Sequence, residues 1–424
     1  MTAAPRTARD PAGRADPPAL ELHAFSCLYP PGLLEGPVAG ASLHRLAREL
    51  REAPRAGVER RVVSLGDLVY VDATAGLLDP HGLSERFDGP YERLATTPEY
   101  RAMRTGARSG FLAMPDDHEL AENWAPRERD PDNAIARERG LDAFVRHLRD
   151  AAVGVPGSAD PRIGLAPGWS AFVADTRIGR EARSLATVGT AQILSAERRD
   201  ALEAWLLDER AADPWRPKLL LCPALLLPRR LTSVRDAPAS ALRSDAWDGF
   251  PASLGWLLGF VARHRVRNLV VVSGDEHLAM VASAQVSSGG GPPVRVHSIH
   301  CPAMHAPYPF ANARPAEFAT DEAFRLADPG APGTPVRCTV RGVRMPPVRE
   351  GWARIEVARV AGRWRASVAC RDGAGYDDSE DAIDAAAVRG EAADGPRVRR
   401  AARLAAERGA HDGAPVALAL DRPD

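Results

Sequence analysis

Three short stretches of the sequence place acidic, tyrosine or histidine side chains directly after apolar runs. In the first, residues 64–72, Gly66 allows a sharp turn and Asp67 lies three residues before Tyr70. If a helical turn follows, the carboxylate and the phenol share one face and could bind a metal ion. The alternative is an aspartate that caps the next helix and a tyrosine in the core, and this stretch alone does not decide between them.

The second stretch contains Asp116, Asp117, His118 and Glu119 in succession. Like charges a few ångströms apart raise one another's pKa unless a cation compensates them, and a bound metal ion would be that cation. A solvated turn is the alternative, because such a run costs little free energy in water. The apolar run before the acids and Trp124 after them favour the metal site.

The third stretch is a strongly apolar run that ends at Gly274 and is followed by Asp275 and His277. In an extended chain these two side chains leave on the same side, as chelation of a metal ion requires. A buried histidine capped by its neighbour is the alternative. The three stretches combine oxygen and nitrogen ligands, which suit iron, manganese, calcium or zinc: Asp67, Asp117, Asp275 and His277.

The elements that position these residues are predicted from periodicity and from turn residues. Predicted strands are residues 20–26, 61–65, 110–114, 169–174, 218–221 and 268–273, and predicted helices are residues 43–51, 195–209 and 251–264. Strands that alternate with helices indicate an α/β sheet, in which ligands bind beyond the carboxyl ends of the strands. Apolar and polar residues alternate on both sides of Ala361 and Gly362, which predicts a C-terminal β-hairpin.

Composition narrows the class of protein further. The 424 residues carry a formal net charge of −1, so no overall field favours nucleic acid or an anionic membrane as partner. We find no signal peptide and no apolar run of membrane-spanning length, and therefore expect a soluble, cytoplasmic protein. Residues 1–18 and 373–424 have the composition of flexible tails. Five widely spaced cysteines do not resemble a disulfide framework: Cys27, Cys222, Cys301, Cys338 and Cys370.

The ordered motifs Gly-Asp-x-x-Tyr, Asp-Asp-His-Glu and Gly-Asp-x-His resemble those of the calcineurin-like metallophosphatases, most closely the PhoD-like branch of alkaline phosphatases and phosphodiesterases. Further matches lie at residues 25–30, 174–180 and 244–251. The resemblance implies a four-layer α/β/β/α sandwich over residues 19–326, followed by a β extension at 327–372. It also implies hydrolysis of a phosphomonoester or phosphodiester by a metal-activated hydroxide, and a non-catalytic metal-binding module is the alternative.

The resemblance also implies roles for individual residues in a centre of two or more metal ions. Asp67 would bridge two ions; Cys27, Tyr70 and His277 would hold the first, and Asp117 and Asp275 the second. Thiolate and tyrosinate ligands favour Fe(III) in the first position, and the second suits a divalent ion such as Ca, Mn or Zn. His118 would assist the leaving group or the nucleophile, while Asn123 and Arg177 would hold phosphate oxygens; a local ion pair is the alternative for Arg177.

The last expectations concern one cysteine and two histidines outside the metal motifs, and the partners of the protein. Cys222 could be a metal ligand but is expected to be a small buried thiol. His300 and His305 have ligand-like spacing but are expected to form a pocket wall or part of the core. The expected partner is a small-molecule phosphate ester, with no nucleic acid partner and no membrane insertion. The natural substrate and the oligomeric state stay open.

Overall fold

The computed structural model describes residues 17–29, 41–72, 83–127, 130–156, 160–233, 238–306, 313–348, 350–372 and 415–422. The predicted N-terminal tail, residues 1–18, lies outside the described residues except for its last two. Of the predicted C-terminal tail, residues 373–424, only residues 415–422 are described.

The described part of the chain contains six α-helices and fifteen β-strands, which confirms the predicted mixed α/β class. The helices are α1 (Ala41–Arg51), α2 (Leu83–Thr96), α3 (Pro98–Ala107), α4 (Pro131–Leu148), α5 (Ala196–Ala212) and α6 (Pro251–Arg263). The strands are β1 (Ala19–Leu28), β2 (Val58–Leu65), β3 (Phe111–Met114), β4 (Arg162–Ala166), β5 (Trp169–Val173), β6 (Lys218–Leu221), β7 (Leu269–Ser273), β8 (Met280–Ser288), β9 (Val294–His300), β10 (Ala303–His305), β11 (Glu322–Leu326), β12 (Val336–Arg344), β13 (Gly351–Val360), β14 (Arg363–Asp372) and β15 (Val416–Ala417).

The predicted elements are confirmed at β1, β2, β3, β5, β6 and β7 and at α1, α5 and α6. A parallel strand covered on both faces buries nearly every side chain, so a run of consecutive apolar residues is stable in such a strand. All five residues of β7 are buried. Helix α5 begins after Ser195, whose hydroxyl accepts a hydrogen bond from the Arg198 N–H at 3.2 Å. This bond satisfies one of the free amides of the first turn.

The strands form two sheets. In the first, the order is β15-β14-β13-β1-β2-β3, and β10 pairs with β1. In the second, the order is β11-β12-β8-β9-β7-β6-β5-β4. Strands β1, β2 and β3 are parallel to one another, as are β5, β6, β7 and β9. Within each parallel group the carboxyl ends therefore lie along one edge, where the sequence places the acidic stretches.

Three buried clusters hold the sheets and helices together. One cluster contains residues of both sheets, including Leu22 of β1 and Val270 of β7. A second packs helices α1, α3 and α4 with β1, β2 and β3, and a third packs α5 and α6 with strands of the second sheet. The two sheets thus share one core and each also contacts helices. The predicted four-layer order stays a prediction.

The C-terminal part of the chain adds strands to both sheets. The predicted hairpin is confirmed as β13 and β14, and β13 pairs antiparallel with β1. Strand β12 lies between β11 and β8 in the second sheet. Strand β15 pairs with β14, and Leu418 and Leu420 are buried beside it. No helix among the described residues combines the length and apolarity needed to cross a membrane.

Candidate metal centre

The predicted ligand loops after β2 and β7 meet at the end of β1. The Cys27 and Leu28 amides donate to the carbonyl oxygens of Gly66 and Asp67 at 3.1 and 2.8 Å. The Asp275 amide donates to the Ser26 hydroxyl at 3.3 Å. The loop after β7 in the second sheet therefore contacts the end of β1 in the first sheet, and the end of β1 is joined to the loop after β2 by backbone hydrogen bonds.

Glycines permit this close approach of the two sheets. A Cβ atom on Gly274 would lie 2.3 Å from Ser26 Cβ and 2.5 Å from Ser26 Oγ. At Gly66, which has φ +103°, a Cβ atom would lie 2.5 Å from Asp116 Cβ. Both separations are below any van der Waals contact, so larger residues would push the ligand loops apart.

We expect Gly274→Ala to destabilise the protein by about 1–3 kcal/mol, because the added methyl group would overlap the Cβ and Oγ atoms of Ser26. Urea denaturation measures this change in the free energy of unfolding. Gly164→Ala is the matched control, since nothing lies within 4 Å of a Cβ at that strand position. In the double variant, Ser26→Gly should restore part of the loss; equal stability of Gly274→Ala and Gly164→Ala would contradict the steric explanation.

The backbone is strained at five of the nine predicted site residues. Non-glycine residues rarely adopt positive φ, and such strain collects at functional sites. The five residues with positive φ are Cys27 (54°), Asp67 (53°), Asn123 (52°), Asp275 (90°) and His277 (52°). The fold thus holds the predicted ligands in conformations that relaxed chains avoid.

Four carboxylates converge at the centre of the site. Ligand atoms of Asp67, Asp116, Asp117 and Asp275 lie within 4.8 Å of one another, and those of Asp67, Asp117 and His118 do so as well. The buried Asp117 Oδ1 accepts no hydrogen bond from any described residue. Clustered carboxylate oxygens with an unsatisfied acceptor fit a hard cation, and metal ions therefore fit this donor set.

The electrostatics of the metal-free cluster support this fit. Burial and the neighbouring Asp117 raise the pKa of Asp67 well above its usual range. Burial and Asp116 do the same to the pKa of Asp275. Burial raises the pKa of Asp116 to about 6 although Arg177 opposes the rise, whereas Arg177 and His118 outweigh burial at Asp117 and lower its pKa. Negative charge here is costly until a cation is added.

Cys27 and Tyr70 lie on one side of Asp67. The Cys27 Sγ atom is 3.4 Å from Asp67 Oδ2, and Cys27 and Tyr70 belong to one small buried cluster. Burial, reinforced by Asp67, raises the pKa of both the thiol and the phenol. Thiolate or tyrosinate ligation therefore requires a metal ion that displaces the proton.

Asp275 and His277, the two predicted ligands after β7, differ in whether their ligand atoms lie within the acidic cluster. Asp275 joins the carboxylate group, whereas His277 is absent from both groups of ligand atoms that lie within 4.8 Å of one another. His277 is half-buried on the same loop as Asp275. Ligation of a metal ion by His277 stays a prediction.

His118 faces the acids from the solvent side. Its Nδ1 atom lies 2.8 Å from Asp72 Oδ1, and its ring packs on that of Tyr70 with the centroids 4.1 Å apart. Burial opposes its positive charge, but Asp67, the hydrogen bond to Asp72 and Asp117 raise the pKa of His118 to about 11. A histidine whose ring is oriented by a carboxylate at the edge of the acids is placed for proton transfer.

Arg177 lies behind the cluster. Its Nε donates to Asp116 Oδ1 at 2.5 Å and its Nη1 pairs with Asp245. Its Nη2 is 3.5 Å from Asp117 Oδ1 and 3.9 Å from Asp275 Oδ2. These contacts form the ion pair considered as an alternative, and contact with phosphate stays a prediction.

Asn123 lies at the outer rim of the site. Its backbone N–H donates to Asp117 Oδ2 at 2.6 Å, and its side chain belongs to an exposed residue. The structure therefore brings Asn123 to the candidate ligands, and its contact with phosphate stays a prediction.

Sequence reasoning gave no role to Asp72, Asp116, Glu119 or Asp245. For the first three a signal exists, since they lie inside the acidic stretches. Asp245 lies in the stretch 244–251 that resembles a family motif, but the sequence does not show that Arg177, Arg180 and Arg183 all pair with it in the folded chain.

The cysteines and two further histidines considered in the sequence are buried. All five cysteines are free and buried, and the Cys222 thiol donates to the Ala224 carbonyl at 3.3 Å. His300 is buried between Ser273 Oγ, 2.9 Å from its Nδ1, and the Glu276 N–H, which donates to its Nε2 at 3.1 Å. The buried His305 lies 3.2 Å from Glu350. His300 therefore braces the loop that carries Asp275.

Comparison with known proteins found a similar solved structure and a matching family model. A solved structure described as "Structure of PhoD" is similar over 84% of this chain and 66% of that chain, just under two thirds of its length, with 14% identity and a TM-score of 0.52. At this identity the similarity supports the fold alone. No curated protein sequence matches the chain. The family model described as PhoD-like phosphatase matches residues 58–324, which is more than half of the chain. This chain belongs to the PhoD-like phosphatase family.

Proposed function

We propose that this protein hydrolyses phosphate esters with the help of at least two bound metal ions. Membership of the PhoD-like phosphatase family supports phosphoester hydrolysis in general. The observation that carries the metal dependence is the convergence of Asp67, Asp116, Asp117 and Asp275 within 4.8 Å in a buried, strained setting.

The proposed ligand sets follow the two sides of Asp67. Cys27, Tyr70 and His277 hold the first ion with Asp67, and their sulfur and phenol donors favour Fe(III). Asp117 and Asp275 hold the second ion with Asp67, and their oxygen donors suit Ca, Mn or Zn. When bound, the ions supply Lewis acidity and lower the pKa of the attacking water.

The protein's own groups then act on the ester. His118, oriented by Asp72, gives its proton to the leaving-group oxygen. Asn123 and Arg177 hold the phosphate oxygens, Asn123 from the exposed rim and Arg177 from beneath the acids. The acids are buried and the rim is partly exposed, so a small phosphate ester would bind on the solvent side of the acids.

The proposed fold is the four-layer α/β/β/α sandwich of the metallophosphatases. It is supported by the core that both sheets share and by the helices that pack separately against each sheet. This arrangement explains how the ends of β2 and β7, which belong to different sheets, come together at one site.

The test is hydrolysis of nitrophenyl phosphate and bis(nitrophenyl) phosphate by the purified protein, before and after treatment with a chelator. We expect turnover that the chelator abolishes and that added iron, calcium or manganese restores, because the acids need the ions to act. The diester-to-monoester ratio reports the bond type. Metal binding without turnover would instead favour a non-catalytic metal-binding module, and turnover that chelators leave unchanged would contradict metal dependence.

A further inference from the structure

Glu119 is a fully buried carboxylate at the centre of the site that belongs to neither group of candidate ligand atoms. It is 0% exposed, and the groups that contain Asp116, Asp117 and His118 exclude it. A buried carboxylate without a cation must be stabilised by other donors. Its contacts therefore indicate what it does.

The donors to Glu119 are backbone amides of two separate loops. Its Oε1 accepts from the Leu68 N–H at 2.6 Å and, at a longer 3.5 Å, from the Val69 N–H. Its Oε2 accepts from the Asp67 N–H at 3.2 Å and from the Asp116 N–H at 2.8 Å. One carboxylate thus ties the loop after β2 to the loop after β3.

These bonds begin where the sheet ladder stops. The pairing of β2 with β3 ends at Leu65 and Met114, and Gly66 then turns the chain away with φ +103°. Buried amides beyond that point need new acceptors, because a buried N–H without a partner loses its hydrogen bond to water and gains none in return. Glu119 supplies the acceptors within the same acidic stretch that supplies Asp117.

We propose that Glu119 is a positioning residue that fixes the spacing between Asp67 and Asp116–Asp117, and so sets the affinity of the site for metal ions. The inference rests on the proposed function in that it assumes metal ions bind at these acids. Glu119 acts through backbone amides of the ligand loops and touches neither the ions nor the ester. Removing groups that orient metal ligands typically weakens metal binding about 10–100-fold.

The test compares Glu119→Gln and Glu119→Ala with the wild-type protein by calorimetric titration of the metal-free forms with Mn²⁺. We expect Mn²⁺ binding about 10–100-fold weaker in Glu119→Ala. Glu119→Gln should lie between, because its amide keeps one acceptor oxygen but turns an N–H₂ group towards backbone donors. Unchanged Mn²⁺ affinity in both variants would overturn the proposal.

Asp213→Asn is the matched control, because Asp213 also accepts two backbone amides, those of Trp215 and Arg216, at 2.8 and 3.1 Å. Asp213 precedes β6, at the opposite end of that strand from the site edge, so its variant should bind Mn²⁺ like the wild type. Weakening of Mn²⁺ binding by the same factor in Asp213→Asn would overturn a specific role for Glu119.

Hydrogen exchange of the metal-free proteins gives a readout that needs no metal. In Glu119→Gln, the amides of Leu68 and Asp116 should lose protection while that of Val63, inside β2, keeps it. Equal loss at Val63 would mean that Glu119 merely stabilises the whole fold, and unchanged protection everywhere would also overturn the proposal. If the wild-type protein binds no Mn²⁺, the proposed function fails while local exchange still decides whether Glu119 fixes the loops.

Discussion

Asp67→Asn is expected to lower kcat/KM for phosphate ester hydrolysis by about 10³-fold or more. Asp67 lies in both groups of candidate ligand atoms and also contacts Cys27. Its replacement should therefore weaken the binding of both proposed metal ions. Metal ions contribute several kcal/mol to the stabilisation of transition-state charge, and about 4 kcal/mol corresponds to about 10³ in rate. Steady-state kinetics with metal content measured in parallel would check this.

The control for Asp67→Asn is Asp208→Asn, which removes a carboxylate whose side chain is 69% exposed in a surface pair with Arg162. Such surface pairs contribute little, so the control should keep its metal content and its rate. Activity of Asp67→Asn within about tenfold of the wild type would contradict a central role for Asp67.

The same substitution should stabilise the metal-free protein at neutral pH. The pKa of Asp67 is raised in the folded state, first by burial and then by Asp117. A raised pKa means that the folded state binds the proton more tightly than the unfolded state, so the ionised carboxylate costs stability and protonation restores it. In chelator, Asp67→Asn should therefore melt above the wild type at about pH 8, and the difference should shrink as the pH falls. A metal-free wild type that melts higher at pH 8 would contradict this.

His118→Asn is expected to lower kcat by about 10²–10⁴-fold while the metal content is retained, because the variant cannot give a proton to the leaving group. Asp72→Asn should cost less, since it removes only the group that orients the His118 ring at 2.8 Å. The loss in His118→Asn should be larger for an alkyl phosphate ester than for a nitrophenyl ester, because an alkoxide needs the proton more. Initial-rate kinetics on the two esters measure this contrast.

His147→Asn is the matched control for His118→Asn. His147 makes a similar contact, with its Nε2 atom 2.8 Å from Asp88 Oδ1, and stacks on Tyr91, but it is not in a group of candidate ligand atoms. Its loss should leave kcat unchanged. Equal losses in His118→Asn for both esters would contradict the proton-donor role and favour a role in holding the nucleophile.

Much of the candidate site could be predicted from local sequence. Apolar runs that end at Gly66 and Gly274, each followed by an aspartate, specify strands that end in ligand loops, because the turn and the ligand are encoded within a few residues. The run from Asp116 to Glu119 likewise signals a cation, since neighbouring carboxylates repel one another in any fold that buries them. Six of the strands and the C-terminal hairpin also follow from local periodicity, whereas strands such as β8, β9 and β12 were not predicted.

Tertiary structure decided the contacts between residues that are distant in the chain. Asp245 pairs with Arg177 only because the folded chain brings these segments together. It lies in a stretch that resembles a family motif, but nothing local in the sequence shows which side chain it pairs with. The contact of Gly274 with Ser26 depends on how two sheets approach each other. The sequence by itself thus determined which side chains could bind metal ions, since ligand chemistry and strand ends are local properties. The tertiary structure decided which carboxylates share one site and which are held by arginine, because the spacing of loops from separate strands is set by packing and by long-range hydrogen bonds.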